Sequence, residues 1–266
     1  MKNKIVDSHC HLDFNEFEDD LPEIIENAKS NDVDYMLSIS VDFKNFENIH
    51  NIAKKFKNIW CTTGIHPNNV PKTVNESDLE ELEINLKTNL KEQKVVGLGE
   101  TGLDYFRGQE NKENQVKYFK THLKVSEDTG APVIVHTRSA EDDTVKILNS
   151  LKQENKVKGI IHCFTSTKEV AEAALNEGFY ISLAGIITFK NASEIVDIVR
   201  YIPLDKLLVE TDSPFLSPEP YRGKRNQPSY VKFTLQKLAE IKKISHEEMA
   251  EITTRNFFNL FSNIKL

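Results

Sequence analysis

Cysteine is scarce in this chain. Its three thiols, Cys10, Cys61 and Cys163, are odd in number, and none stands in a CxxC pair. That argues against a disulfide framework and suits a reducing, cytoplasmic setting. Long hydrophobic runs are missing as well. The longest, YISLAGIITF at 180–189, is interrupted by Ser182 and is far too short to span a bilayer. The opening MKNKIVDSHCH carries lysines but no apolar core, so it does not read as a signal peptide. Positive charge is in deficit, with 34 Lys and Arg against 41 Asp and Glu, a net −7. A surface that coats nucleic acid broadly would need the opposite balance. A phosphate group held locally by metals and a few arginines remains compatible. Repeats, low-complexity tracts and linkers are also absent, and residues 1–266 read as a single domain.

Short β-rich runs are plentiful. Eight recur, at 4–9, 35–41, 59–66, 95–100, 132–137, 159–164, 179–185 and 206–212. Most are nearly continuous apolar segments, the pattern of strands covered on both faces. Helix-like stretches separate them. Residues 19–30, 114–130 and 167–178 carry apolar stripes, the last two stopping at a glycine. At 77–92 a leucine stripe follows Ser77 as N-cap, and 139–153 opens on Ser139 with Asp142 as a capping-box-like start. The stretch 244–261 begins on Ser245 with Glu248. Strand alternating with helix predicts a parallel sheet, and eight strands in this length predict a (β/α)₈ TIM barrel. A doubly wound sheet would show a glycine-rich phosphate loop after its first strand, and VDSHCHLD (6–13) is not one.

Polar residues gather where these strands end: His9 and His11, His66, Glu100, His136, His162 and Asp212. In a parallel barrel all such ends meet at one mouth, where active sites of this fold sit. Residues two apart in a strand face the same way, so His9 and His11 reach one ion together while Cys10 points to the covering helices. Each residue alone has an ordinary reading: a His-x-His pair on a surface, a histidine bonding a backbone group, an acid capping a helix. Their coincidence at one mouth favours metal. His9, His11, Glu100, His136, His162 and Asp212 are too many for one tetrahedral ion, whereas Glu100 can bridge two. His50, His122 and His246 fall in helices and read as surface residues.

The motifs SHCHLD, GIHP (64–67), GETGLDYFR (99–107), VIVHTR (133–138), IHCFT (161–165) and ETDSPFLSP (210–218), followed by RGKRNQP (222–228), resemble the TatD family of metal-dependent deoxyribonucleases, within the amidohydrolase-like barrels. The resemblance spans nearly the whole chain. It implies a first metal on His9, His11, Glu100 and Asp212, and a second on Glu100, His136 and His162. It also implies hydrolysis of DNA phosphodiesters from the 3′ end and, for some members, removal of D-amino acids mischarged on tRNA; RNA is a further candidate substrate, and the sequence shows no sign of an obligate protein partner.

Chemistry adds roles to these residues. Two cations would acidify a shared water, Asp212 would take its proton as general base, and Glu100 would hold both ions. His66, Arg138 and Arg222 are candidates for substrate phosphate, although a turn or loop ion pairs would also account for them. Lys224 and Arg225 could steer a nucleic-acid backbone, and Tyr105, Phe106, Phe164 and Tyr221 could stack bases or simply pack. Histidine-rich sites favour Zn²⁺, Mn²⁺, Co²⁺ or Fe²⁺ over Mg²⁺. Two rivals share the barrel: a hydrolase of another ester or amide, such as D-aminoacyl-tRNA or a cyclic amide, and a non-catalytic metal-binding protein. Glu100 stands where many amide hydrolases of this kind carry a modified lysine, which weakens the first rival.

Overall fold

Apolar runs flanked by turn residues become eight strands, each followed by helix. The structure, a computed structural model, describes residues 4–151 and 157–265. In chain order these are β1 (Ile5–Cys10), α1 (Leu21–Ser30), β2 (Val33–Ser38), α2 (Phe46–Lys55), β3 (Ile59–Thr63) and α3 (Glu76–Asn89). Then come β4 (Val95–Asp104), α4 (Lys112–Thr129), β5 (Val133–Arg138), α5 (Glu141–Asn149), β6 (Gly159–Ile161) and α6 (Lys168–Asn176). The chain continues through β7 (Tyr180–Leu183), α7 (Ser193–Tyr201), β8 (Leu207–Val209), α8 (Val231–Lys242) and α9 (His246–Leu260). All strands are parallel, in the order β1 to β8. This is the expected (β/α)₈ barrel. Among the described residues no helix is long and apolar enough to cross a membrane.

The barrel closes at a seam rather than a ladder. One parallel bridge joins Cys10 to Ser213. Around it, Asp212 N–H donates to His9 O at 2.9 Å and His11 N–H to Ser213 O at 2.9 Å. The buried Asp7 carboxylate accepts from Thr211 N–H at 2.9 Å and from its hydroxyl at 2.5 Å. Burial pushes the Asp7 carboxyl up to about 8, against those bonds.

Two apolar layers hold the barrel. Helices cover its outside, with Cys10 packed in the same layer as Ile25 and Ala28, as its strand parity requires. Inside, Val6, Leu37, Trp60, Ile134, Ile160 and Leu208 meet Phe257 of α9 and Phe261 just past its end. This plug lies toward the strand starts, so the polar residues at the strand ends are backed by a dry floor.

Several boundaries differ from expectation. Strands β6 and β8 stop before His162 and Asp212, and β3 before His66. Left-handed residues at Cys163 (φ 43) and Asp212 (φ 54) break the extended backbone there. The N-cap of α3 is Asn75, in a reciprocal capping box with Asp78, not Ser77. Helix α5 begins at Glu141 because Ser139 is left-handed (φ 51), and Ala140 gives it no side-chain cap. Residues 152 and 153 of that expected stretch lie outside the described residues. Ser245 caps α9 as expected, accepting from Glu248 N–H. Helices α2, α7 and α8 have no counterpart among the six striped stretches.

His50 and His122 are buried, not on the surface. His50 Nε2 donates to Gln93 O at 2.8 Å. His122 Nδ1 donates to Tyr118 O at 2.8 Å, and its Nε2 accepts from Ile65 N–H at 3.3 Å. Burial pulls the His122 imidazole down to about 4. An unfolded histidine protonates near pH ~6.5. Between those values the unfolded chain holds more protons, so this residue makes stability fall as pH falls, by at most about 3 kcal/mol. We expect His122→Gln to shrink the stability loss between about pH 7 and about pH 4.5, read by urea unfolding, by roughly 2–3 kcal/mol. An unchanged loss would show that His122 does not set this slope.

Candidate metal centre

Glycine builds the centre's middle. Gly99 and Gly102 have φ of +127 and +129, where a side chain is strained. A Cβ on Gly102 would lie 2.0 Å from His136 O, and one on Gly99 2.7 Å from Ile134 O. Pairing between β4 and β5 slips by one residue between Leu98 and Thr101, a bulge that turns Glu100 into the barrel mouth. Glu100 N–H is anchored on Ser40 O at 2.7 Å.

The two carboxylate oxygens of Glu100 face different nitrogens. Oε2 lies 3.4 Å from His9 Nε2 and 4.0 Å from His11 Nε2. Those nitrogens are 3.3 Å apart and lie 3.5 and 3.4 Å from Asp212 Oδ1. Oε1 lies 2.7 Å from His162 Nε2, 3.0 Å from His136 Nδ1 and 3.3 Å from His66 Nε2. His136 Nδ1 and His162 Nε2 are 3.2 Å apart. Ligand atoms on a tetrahedral cation at about 2.0–2.2 Å stand roughly 3.3–3.6 Å from one another. Both sets are near that spacing.

Proton placement fits as well. His11 Nδ1 donates to Ile39 O at 3.1 Å, which leaves its Nε2 lone pair facing His9 Nε2. His162 Nδ1 is 3.3 Å from Glu210 Oε1, and His136 Nε2 lies 3.5 Å from Asp104 Oδ2 without a hydrogen-bond partner. Each therefore turns its other nitrogen to Glu100. His9 Nδ1 is buried with no hydrogen-bond partner. Ring nitrogens crowded this closely against one another and against buried carboxylates form a donor set that a cation completes.

The charges are mutually held. Burial opposes ionisation of Glu100, yet His162, His66 and His136 outweigh it and keep the carboxyl well below the usual range. Burial likewise works against Asp212, and His11, His9 and His162 bring it down. Burial lowers His9, with His162 adding to the effect, and burial lowers His66. His162 is raised well above its ordinary value because Glu100 and Glu210 outweigh its burial.

All six expected ligand residues thus meet at one place. His66 meets them too, beyond its expected place on the substrate. Its Nδ1 accepts from Asn68 N–H at 3.1 Å, which puts the proton on Nε2 toward Glu100. Arg138 and Arg222 do not touch the cluster. They are exposed, with guanidinium groups 4.1 Å above the Phe106 ring and 4.2 Å above Phe189. Neither has a carboxylate within ion-pair distance among the described residues, so the loop-acid pairing does not occur. Arg225 is paired with Asp20, which removes it from a steering role. Tyr105 and Phe164 are buried, the Tyr105 hydroxyl bonding Asp143, and Tyr221 stacks on Tyr230 at 4.2 Å. Of the four aromatics, only Phe106 is left open to solvent, 65% exposed.

The sequence reading passed over Glu210 and Asp104. Strand parity was the available signal, since Glu210 lies two residues from Asp212 and Asp104 four from Glu100. Glu210 is fully buried and its Oε1 also accepts from Cys163 N–H at 2.7 Å. Carboxylates behind a ligating imidazole fix its orientation and tautomer, and their loss typically costs about 10- to 100-fold in metal affinity. Glu210→Gln is expected to weaken metal retention by about that factor in equilibrium dialysis. Unchanged retention would show that His162 is oriented without it.

Imidazoles and carboxylates converging at the C-terminal mouth of a parallel barrel define a metal-dependent hydrolase. The comparisons with known proteins agree. Residues 6–262 match the family model described as TatD related DNase. The metal-dependent hydrolase YcfH of Escherichia coli K12 is 41% identical over 263 residues, covering 97% of this chain and 95% of the relative. YabD of Bacillus subtilis 168, also described as a metal-dependent hydrolase, is 38% identical over 258 residues, covering 97% and 98%. The crystal structure of the TatD homologue YjjV from E. coli K12 superimposes with a TM-score of 0.89 at 27% identity, over 100% of both chains. The chain belongs to the TatD family.

Proposed function

We propose that this hydrolase cleaves phosphodiester bonds of DNA, removing nucleotides from the 3′ end of single strands. The observation that carries the reading is Glu100, buried between two nitrogen sets with one carboxylate oxygen turned to each. In this reading His9, His11, Glu100 and Asp212 would hold one divalent cation, and Glu100, His136 and His162 a second. Zn²⁺, Mn²⁺, Co²⁺ and Fe²⁺ suit these donors better than Mg²⁺. Cations bound there would acidify a water and stabilise the charge that builds on the phosphoryl group.

The protein's own groups do the rest. Asp212 accepts the proton of the attacking water. Its side chain is 16% exposed, against 3% for Glu100 and 0% for Glu210, so it is the carboxylate open to the mouth. The Nε2–H of His66 is a donor for a phosphoryl oxygen at the same place. Arg138 and Arg222, without a carboxylate partner among the described residues, offer guanidinium groups to flanking phosphates.

End-labelled single-stranded DNA, RNA, aminoacyl-tRNA and small esters assayed side by side test this reading. Stepwise 3′ shortening of DNA is expected, lost with chelator and restored by added divalent metal, with zinc or a transition metal found by elemental analysis. Turnover of aminoacyl-tRNA or small esters with DNA left intact would overturn it.

A further inference from the structure

Among the described residues few large apolar side chains are left open to solvent, and two of them flank the candidate metal centre. Phe106, 65% exposed, follows β4, two residues past Asp104. Phe215, 47% exposed, follows β8, three residues past Asp212. Because the strands run in order around the barrel, the β4–β5 side of the mouth lies across from the β8–β1 side. The two rings therefore stand on opposite sides of the cluster.

Each ring belongs to a small built unit. On the β8–β1 side, Phe14 stacks on the His11 ring with centroids 4.5 Å apart and planes 19° apart. Phe215 then meets Phe14 edge-on at 6.0 Å. An aromatic step thus runs from a candidate ligand out to solvent. On the other side, β4 and β5 pair Asp104 with Arg138, and the Arg138 guanidinium stands over the Phe106 ring at 4.1 Å. Arg138 sits two residues beyond His136 on the same strand, so it shares the face of that ring, further out.

An exposed aromatic ring beside a cation with no carboxylate partner among the described residues matches one ligand chemistry closely: a nucleobase next to its phosphate. The faces are usable only by bases that are neither paired nor stacked on neighbours. We propose that Phe215 with Phe14, and Phe106 with Arg138, form two base-stacking stations that splay the nucleotides on either side of the scissile phosphate. Unpaired bases are then a condition of binding, and duplex is refused at the mouth. This inference rests on the phosphodiesterase reading and names how that site selects its substrate.

The test is equilibrium binding of the metal-loaded protein to a short, cleavage-resistant phosphorothioate oligothymidylate, followed by fluorescence anisotropy. The wild type should bind the single strand at least about 10-fold more tightly than a blunt duplex, since two stacked bases are involved. Phe106→Ala and Phe215→Ala should each weaken single-strand binding by about 5- to 100-fold, and the Tyr variants should restore it. On strands lacking one base, at the terminal or the penultimate position, each Ala variant should be silent on one of the two. Equal affinity for duplex and single strand, or Ala losses that persist undiminished on both abasic strands, would overturn the stations. Hydrolysis of a small chromogenic phosphodiester by the wild type reports separately on the phosphodiesterase reading. Turnover of that probe with failed stacking indicts the stations alone, and absent turnover with intact stacking indicts the chemistry alone.

Discussion

Glu100→Gln is expected to lower the rate of hydrolysis by about 10³-fold or more, and to empty the centre of at least one cation. The magnitude follows from what the carboxylate joins. A cation clamping a phosphoryl group is worth several kcal/mol of transition-state stabilisation, and each ~1.4 kcal/mol is tenfold in rate. An amide keeps the shape of the carboxylate but removes its charge and offers one acceptor oxygen instead of two. His162 Nε2 and His136 Nδ1 would meet an amide where they now meet Oε1 at 2.7 and 3.0 Å, or His9 Nε2 would lose Oε2 at 3.4 Å. Metal content and steady-state turnover measured on one preparation check this. A variant that retains two cations and most of its rate would show that Glu100 does not bridge.

Asp212→Asn should lower kcat by about 10²- to 10⁴-fold while the fold holds, the range for a lost general base. The choice of Asn matters. Asp212 has φ 54, a conformation that asparagine tolerates and alanine resists, and its backbone anchors the seam through His9 O. Asn therefore tests the carboxylate without disturbing the backbone. The affected quantity should be kcat more than KM, because the proton transfer belongs to the transition state. Retention of most turnover would refute the base assignment, and unfolding in circular dichroism would point instead to the seam.

Much of this centre could be read from the chain because a parallel barrel delivers every strand end to one rim. His9 with His11, His136 and Asp212 needed only that rule and strand parity. Glu210 and Asp104 escaped because an acid near an obvious ligand looks like an ordinary loop acid until a histidine ring is seen against it. His122 was misread as exposed, although it shares the stripe of Tyr118, Phe119 and Leu123 in α4, where i, i+3 and i+4 spacing marks a buried face. The stacking of Arg138 on Phe106 had no sequence signal at all. It depends on the register that sets Asp104 beside Arg138, and the bulge at Glu100 sets that register.

The seam between the first and eighth strands carries a consequence for how the molecule is made. Synthesis proceeds from one end, so His9 and His11 leave the ribosome long before Asp212 does. Until Thr211 arrives, the Asp7 carboxylate has no amide or hydroxyl from the last strand to accept, and the sheet stays open along one edge. The final strand therefore does two things in one docking event: it shuts the cylinder and it completes the donor set. A nascent chain halted before that strand presents two histidines with no Asp212 beside them, and the cluster is whole only when the last neighbour slides home.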